Sequence, residues 1–505
     1  MIDLNERLRQ LPEPVYEPKP EFVDFYHFAW NLVSEHLMDI PGMPCNPYMD
    51  EAFCKTQLWI WDTSFMSFFC RYSGGAFPGV ESLSNFYDVM YGTRKLPDVL
   101  VPENEPSWTH YTPGTTAPIK IHIADNPPLL AWAEYESALF SGNIARIRET
   151  LPLLEKHYEF LENLRDTFRA EWLFCETCWR TDTLGYHWEG GRSGMDNTPR
   201  GRKGPCADRS RPAEPELLWL DALAQQALAA GSIAKLHTLL GNTVAAEEWN
   251  TQKVTKAKLL QEHYFDVEDG CFYDISAENG AFCKVPTIAS FWPLTAGCAT
   301  PEQAEAMLQK LEDPMWFGGD YPFVSLARKD ADFVEHGGAY WRGGIWLPTA
   351  YATLCGLREY GMEDAAVKYA KRLLNQMLAT FENNTPHSIW EAYSPSAPEP
   401  ALGESSLHRV RTNFCGWSAL GPISIFIEYV VGIHSVNAFK RKVCWTLDKE
   451  NTKSIGLRNL RFGSIVTTLI ASDGFCEVTS NEAYTLEINQ KSYSIKPGIT
   501  SFQLK

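Results

Sequence analysis

The sequence predicts a mainly α protein, a helical toroid followed by a small all-β domain, and three observations carry that reading. Segments 21–38, 81–91, 129–141, 144–165, 214–240, 244–264, 301–311, 345–360, 364–381 and 417–432 place apolar residues at three- and four-residue spacing, the period of a helix with a buried face. Between them lie loops rich in Trp, Gly and Pro that hold the unusual residues, the layout of helical hairpins whose loops at one end form a pocket. After about residue 439 the texture changes. Segments 442–447, 465–470, 475–479, 484–488 and 492–495 are short, several alternate apolar with polar residues, and Asp-Gly, Ser-Asn and Pro-Gly turns separate them.

Helix ends agree with this division. Thr300-Pro301-Glu302 reads as an N-cap followed by a proline at the first helical position, and Gly241-Asn242 and Gly361 read as helix stops. The expected domains are an N-terminal extension 1–20, a helical domain 21–439 and a small β-sandwich-like domain 440–505.

Composition narrows the function. The 505 residues carry 45 Lys and Arg against 63 Asp and Glu, a net charge of −18, which argues against a nucleic-acid partner because phosphate binding needs an attractive field. The first twenty residues are charged and proline-rich where a secretory signal has an apolar run, and no apolar stretch approaches the ~20 residues of a membrane span. A soluble, cytoplasmic protein with no membrane partner is expected. Thirteen Cys, an odd number that includes Cys54, Cys70, Cys206, Cys355 and Cys415, fit reduced thiols better than a disulfide framework.

Aromatic residues reach 13%, with 17 Trp, and many Trp stand beside polar groups: Trp59-Ile60-Trp61-Asp62, Trp188-Glu189, Trp341-Arg342, Trp390-Glu391 and Gly416-Trp417. Flat rings against C–H faces, with carboxylates or guanidinium groups for hydroxyls, are what a sugar pocket needs. Packing alone also buries Trp in large helical proteins. Two carboxyls stand out. Asp196 lies in Trp188-Glu189-Gly190-Gly191-Arg192-Ser193-Gly194-Met195-Asp196-Asn197-Thr198-Pro199-Arg200, where Asp-Asn before Thr-Pro reads either as an Asx turn or as a catalytic loop. Glu391 lies in Ser388-Ile389-Trp390-Glu391-Ala392-Tyr393, a salt-bridged loop residue or a second catalytic carboxyl.

Five pieces taken together, in chain order, resemble the inverting α-glycosidases of glycoside hydrolase family 63 and its clan relatives, the family 37 trehalases and the mannosylglycerate/glucosylglycerate hydrolases. They are Trp61-Asp62-Thr63, Ser193-Gly194-Met195-Asp196-Asn197-Thr198-Pro199-Arg200, Tyr340-Trp341-Arg342-Gly343-Gly344-Ile345-Trp346, Trp390-Glu391-Ala392-Tyr393 and Gly416-Trp417-Ser418-Ala419-Leu420. The resemblance implies an (α/α)6 barrel, a six-hairpin toroid, with Asp196 as catalytic acid and Glu391 as catalytic base. It implies that Trp61, Asp62, Trp188, Asn197, Trp341, Arg342, Trp346 and Trp417 bind substrate, with no metal and no cofactor. Asp62 also reads as an N-cap for a helix starting near Thr63, and Arg342 as a clamp on hydroxyls or on the base, or as an ion pair supporting its loop. Cleaving an acetal with inversion needs a proton on the departing oxygen and an activated water on the opposite face, roles that two carboxyls in different environments divide.

Two departures accompany the match. Arg192 stands where such enzymes often carry Glu, and the tract 200–211 is basic in an acidic protein, either a solvated loop or a contact for an acidic aglycone. Cys175-Glu176-Thr177-Cys178 is a lone C-x2-C without a second pair at zinc-site spacing, and His336 precedes the Tyr-Trp-Arg motif as a candidate pocket residue. The expected activity is exo-hydrolysis of a terminal α-linked sugar, an α-glucoside first, on an oligosaccharide or small glycoside. The alternatives are an α-mannoside, a rhamnoside, or a non-catalytic sugar-binding toroid.

Overall fold

The computed structural model describes residues 3–52, 55–93, 96–102, 119–122, 126–164, 168–170, 175–201, 216–448 and 452–504. The chain is mainly helical, with a strand-rich C-terminal part. Six helical segments pack in sequence: α1 (Ile60–Cys70), α2 (Leu130–Ser141), α3 (Leu220–Leu240), the short α4 (Trp292–Thr295), α5 (Leu347–Glu359) and the π-wound α6 (Gly421–Val431). Each touches the next through α5, and the turn Ser418–Leu420 that leads into α6 meets both α5 and α1, so the circuit returns to its start.

Two kinds of helix follow from two kinds of sequence. Residues 217–234 and 421–432 are buried without a break, which their apolar and small side chains permit, since a helix apolar all round can only be an inner one. By contrast Ile144–Asn163 and Glu363–Asn383 keep one polar face, and pack from outside on α3 and on α5 with α6, respectively. Thr243–Leu259 also backs α3, and Glu21–Ser34 backs α6.

A buried charge joins the inner helices. Arg71, the residue after α1, has a side chain 5% exposed; its Nη1 donates to Glu136 of α2 at 2.9 Å and its Nη2 to Glu428 of α6 at 2.8 Å. Tyr351 of α5 and Tyr72 donate to the same Glu428 carboxyl, at 3.1 and 2.9 Å. Four inner elements therefore share one hydrogen-bonded knot.

The C-terminal part holds two sheets. One has the order Glu13–Tyr16, Ile455–Phe462, Ile465–Ser472, Phe475–Ser480, Gly498–Gln503; the other runs Ile433–Asn437, Lys442–Trp445, Tyr484–Ile488, Lys491–Ile495 with its middle pair parallel. Thr467 and Tyr484 meet between them, hydroxyl to hydroxyl at 3.0 Å. Alternating burial along Ile465–Ser472 fits one face turned inward.

Four expectations change. The N-terminal segment is no free extension, because Glu13–Tyr16 pairs antiparallel with Ile455–Phe462 across the whole chain, a partner that local sequence does not reveal. The second sheet begins at Ile433, directly after α6 and ahead of the expected boundary at 440. Helices α1 and α4 carried no period because nearly every residue in them is buried. Segment 81–91 is two helices, Gly79–Ser82 and Ser84–Thr93.

The Arg71 knot sets a stability test. Arg71→Leu is expected to cost about 3–5 kcal/mol, because buried Glu428 loses its close guanidinium and keeps only Arg358 at 3.8 Å. Lys258→Ala, whose partner Glu262 is exposed, is expected to cost about 1 kcal/mol or less. Urea denaturation followed by tryptophan fluorescence reads both; equally small losses would refute the knot.

Candidate active site

Over one end of the inner circuit lies a cavity of about 300 Å³. Its walls come from just ahead of helix starts: Trp59, Trp61 and Asp62 from the start of α1, Asn126 and Pro127 before α2, Trp346 at the N-cap of α5, and Trp417 before the turn into α6. The loop 191–196 and residues Tyr340 and Trp341 complete it. Helix N-termini present unpaired N–H groups and the positive end of the helix dipole, so this end of the fold suits carboxyl groups.

Five indoles line the cavity, and four of them cluster into one wall. Trp341 and Trp346 stack with centroids 4.2 Å apart and planes 4° from parallel, while Trp417 lies 5.4 Å from Trp61 and 5.8 Å from Trp346. Trp61 rests against Gly194, which has φ +83°; a Cβ there would stand 2.8 Å from the indole ring, so glycine is required both by the turn and by the ring.

Three carboxyls surround this wall in different surroundings. Asp62 is buried in the first turn of α1, whose N-cap is Trp59 and whose first residue is Ile60, so it is not the N-cap expected of it. Burial pushes its carboxyl well above the usual range, and negative Glu391 and Asp196 add to this. Asp196 lines the cavity, and burial, then the negative charges of Glu404 and Glu391, push it up to about 7, while Arg192 and Arg411 pull the other way. Glu391, 1% exposed, adjoins the wall behind Tyr340. Its carboxylate accepts from the Tyr340 hydroxyl at 2.8 Å, the Arg411 backbone N–H at 3.0 Å and the Arg411 Nη1 at 3.2 Å. Its own carbonyl accepts from Trp417 Nε1 at 2.8 Å, and Ser418 Oγ donates to the Trp390 carbonyl at 2.7 Å, so the Glu391 backbone is pinned to the start of α6.

The structure thus gathers Trp61, Asp62, Asp196, Trp341, Trp346, Glu391 and Trp417 around one place. Others lie apart. Trp188 packs between Trp179 and Trp219 and is absent from the cavity wall. Asn197 turns its side chain to the neighbouring loop, bonding the Ala339 carbonyl and the Trp341 N–H. Arg342 is half-buried beside the wall, its carbonyl accepting from Val334, and His336 is exposed. Of the basic tract, residues 202–211 lie outside the described residues, as do Cys54 and Cys206. Arg200 is no aglycone contact: fully buried over the Trp219 ring, it forms paired hydrogen bonds with Asp221 and Asp274 at 2.7–2.9 Å.

Sequence reasoning passed over Tyr340 and Arg411, which hold Glu391, and Trp59 and Asp98, which line the cavity. Tyr340 sat inside a matched motif and could have been read there. Arg411 carried no signal, because it is set opposite Glu391 by the pairing of Trp390 with Thr412, not by spacing. Arg192, singled out as a departure, lines the cavity and lies 3.7 Å from Asp98.

Among the described residues no group of three or more His, Cys, Asp or Glu is placed to hold a metal, ten cysteines are free thiols, and no helix is long and apolar enough to cross a membrane.

Comparison with known proteins identifies similar chains and folds. A protein of Borreliella burgdorferi, itself uncharacterized, is 23% identical over 91% of this chain and 90% of its own length. A probable mannosyl-oligosaccharide glucosidase of Schizosaccharomyces pombe is 24% identical over 54% of this chain, which spans only 34% of that protein. The crystal structure of the glycoside hydrolase family 63 mannosylglycerate hydrolase from Thermus thermophilus in complex with glucose superposes with a TM-score of 0.59 at 18% identity, covering 79% of this chain and 99% of that one. The sequence profile of the mannosylglycerate hydrolase MGH1-like glycoside hydrolase domain matches residues 88–408, from before α2 to just ahead of Arg411, and the chain belongs to that family of glycoside hydrolases.

Proposed function

We propose that the protein is an inverting, exo-acting α-glycosidase on an (α/α)6 barrel, with Asp196 as general acid, Glu391 as general base and a terminal α-glucoside as substrate. The closed circuit of inner helices supports the barrel. One observation carries the chemistry: two carboxyls beside one aromatic cavity receive opposite treatment. Asp196 is held protonated up to about 7 by burial, whereas Glu391 accepts three donors, one of them a guanidinium.

In this reading the sugar ring lies against the indoles of Trp61, Trp341, Trp346 and Trp417. Asp196 gives its proton to the departing glycosidic oxygen as the bond to the anomeric carbon breaks. Glu391 takes a proton from a water that attacks that carbon from the opposite face, and the product emerges with inverted configuration. Asp62, whose carboxyl burial pushes up, hydrogen-bonds sugar hydroxyls. The α-mannoside is the second reading, favoured by the mannosylglycerate hydrolase whose fold is shared.

The roles separate by leaving group. Asp196→Asn is expected to abolish turnover of an alkyl glycoside, a loss of about 10²–10⁴-fold, while sparing an aryl glycoside with an acidic leaving group. Glu391→Gln is expected to slow both, with azide partly replacing the activated water. Identical leaving-group dependence in the two variants would overturn the assignment.

Proton NMR of the wild-type reaction is expected to show the β-anomer first; initial α-anomer would exclude inversion.

The pH profile follows from the acid. Because Asp196 must be protonated, kcat/KM is expected to fall as pH rises through about 7. Glu404→Gln removes a negative charge that raises Asp196 and should move this limb to lower pH, and Arg192→Gln should move it higher. A limb unmoved by either change would mean that another group titrates.

A further inference from the structure

The acid and base lie 195 residues apart in the sequence, yet two side chains in series, Asn197 and Tyr340, link their loops. Asn197, next to the acid, donates from Nδ2 to the Ala339 carbonyl at 2.9 Å and accepts at Oδ1 from the Trp341 N–H at 2.8 Å. These two peptide groups flank Tyr340, whose hydroxyl donates to Glu391 Oε1 at 2.8 Å.

Tyr340 has φ +69° and ψ −111°, a region that a residue with a Cβ enters only when its surroundings force it. The forcing is visible. Its N–H donates to the Leu402 carbonyl at 2.8 Å, and its carbonyl accepts from Gly344 N–H at 3.0 Å and Trp346 Nε1 at 3.3 Å. Gly338 makes the bend possible, since a Cβ there would lie 2.3 Å from the Gly344 nitrogen. The Tyr340 ring stands edge-on to Trp346, 4.6 Å between centroids at 89°. Every backbone polar group from the Ala339 carbonyl to the Trp341 N–H is thus bonded, and Asn197 supplies the outer two.

We propose that Asn197 is a positioning residue for the base: by bonding both peptide groups around Tyr340 it holds that residue in its strained conformation, and the hydroxyl so placed fixes the Glu391 carboxylate. This rests on the reading of Asp196 as acid and Glu391 as base. The chemistry requires an amide of this length. Aspartate at 197 lacks the donor, alanine lacks both groups, and glutamine is one methylene too long. Asn197 therefore makes the geometry of the base depend on the loop that carries the acid.

The test compares Asn197→Ala, Asn197→Asp, Tyr340→Phe and the double variant Asn197→Ala/Tyr340→Phe on an alkyl and an aryl glycoside, with folding checked by circular dichroism. Each single change is expected to lower kcat by about 10- to 100-fold on both substrates with KM little altered, as for a misplaced catalytic group. The double variant is expected to be no worse than the worse single one. Losses that multiply in the double variant, or a loss confined to the alkyl glycoside, would overturn the proposal, the second by showing that Asn197 acts through Asp196. If Asn197→Ala does not fold, the near-isosteric Asn197→Asp and Tyr340→Phe carry the test: matching losses on both substrates support it, and wild-type kcat in Asn197→Asp overturns it. Glu391→Gln separates the two levels. An inactive Glu391→Gln beside a fully active Asn197→Ala removes only the role of Asn197, whereas an active Glu391→Gln removes the base itself.

Discussion

Carboxyl groups gathered beside a tryptophan wall, Asp62 from a helix start and Asp196 and Glu391 from loops, set the terms for the rest of the molecule. Removing a carboxylate from water costs several kcal/mol, whereas a helix N-terminus returns at most about 2 kcal/mol. The dipole alone cannot hold three ionised groups there. Burial pushes the Asp62 carboxyl well above its usual range and Asp196 up to about 7, and Glu391 is held by a guanidinium, a phenol and a backbone amide. The indoles that exclude water strengthen each of these interactions, so the same burial that is costly to folding separates the two carboxyls chemically.

Two guanidinium groups do comparable work away from the chemistry. Arg71 links three inner helices through Glu136, Glu428 and Tyr351, beyond the C-terminal end of α1, and Arg200 ties the end of the Asp196 loop to Asp221 at the start of α3 and to Asp274. Buried ion pairs of this kind add little net stability over well-packed apolar residues. Their directional bonds nonetheless admit few alternative packings, and a pocket assembled from helix ends depends on every helix stopping at the right height.

The segment 337–343 shows the same logic on a smaller scale. Gly337, Gly338, Ala339, Tyr340 and Gly343 all have positive φ, and the strain is held by bonds from Asn197, from Leu402 and from Trp346. Strain maintained this way keeps a side chain in one place.

Periodicity made the outer helices legible, because a face exposed to water must be polar: Ile144–Asn163, Pro301–Glu312 and Glu363–Asn383 fall within a few residues of expectation. It could not show α1 or α4, which have no solvent face, nor the pairing of Glu13–Tyr16 with Ile455–Phe462, since a strand's partner is not encoded in its own residues. The motifs around Trp61-Asp62, Asp196, Trp341, Trp346, Glu391 and Trp417 were readable because side-chain chemistry is local. What each motif faces is not. Only the tertiary structure turned Asn197 away from the cavity, buried Arg200, left Trp188 in a separate aromatic cluster and brought Arg411 to Glu391. The sequence by itself determined which groups were available and the kind of helix that carries them. Distance, burial and partner, which decide whether a carboxyl gives or takes a proton, arose only when helices remote in sequence closed into one circuit.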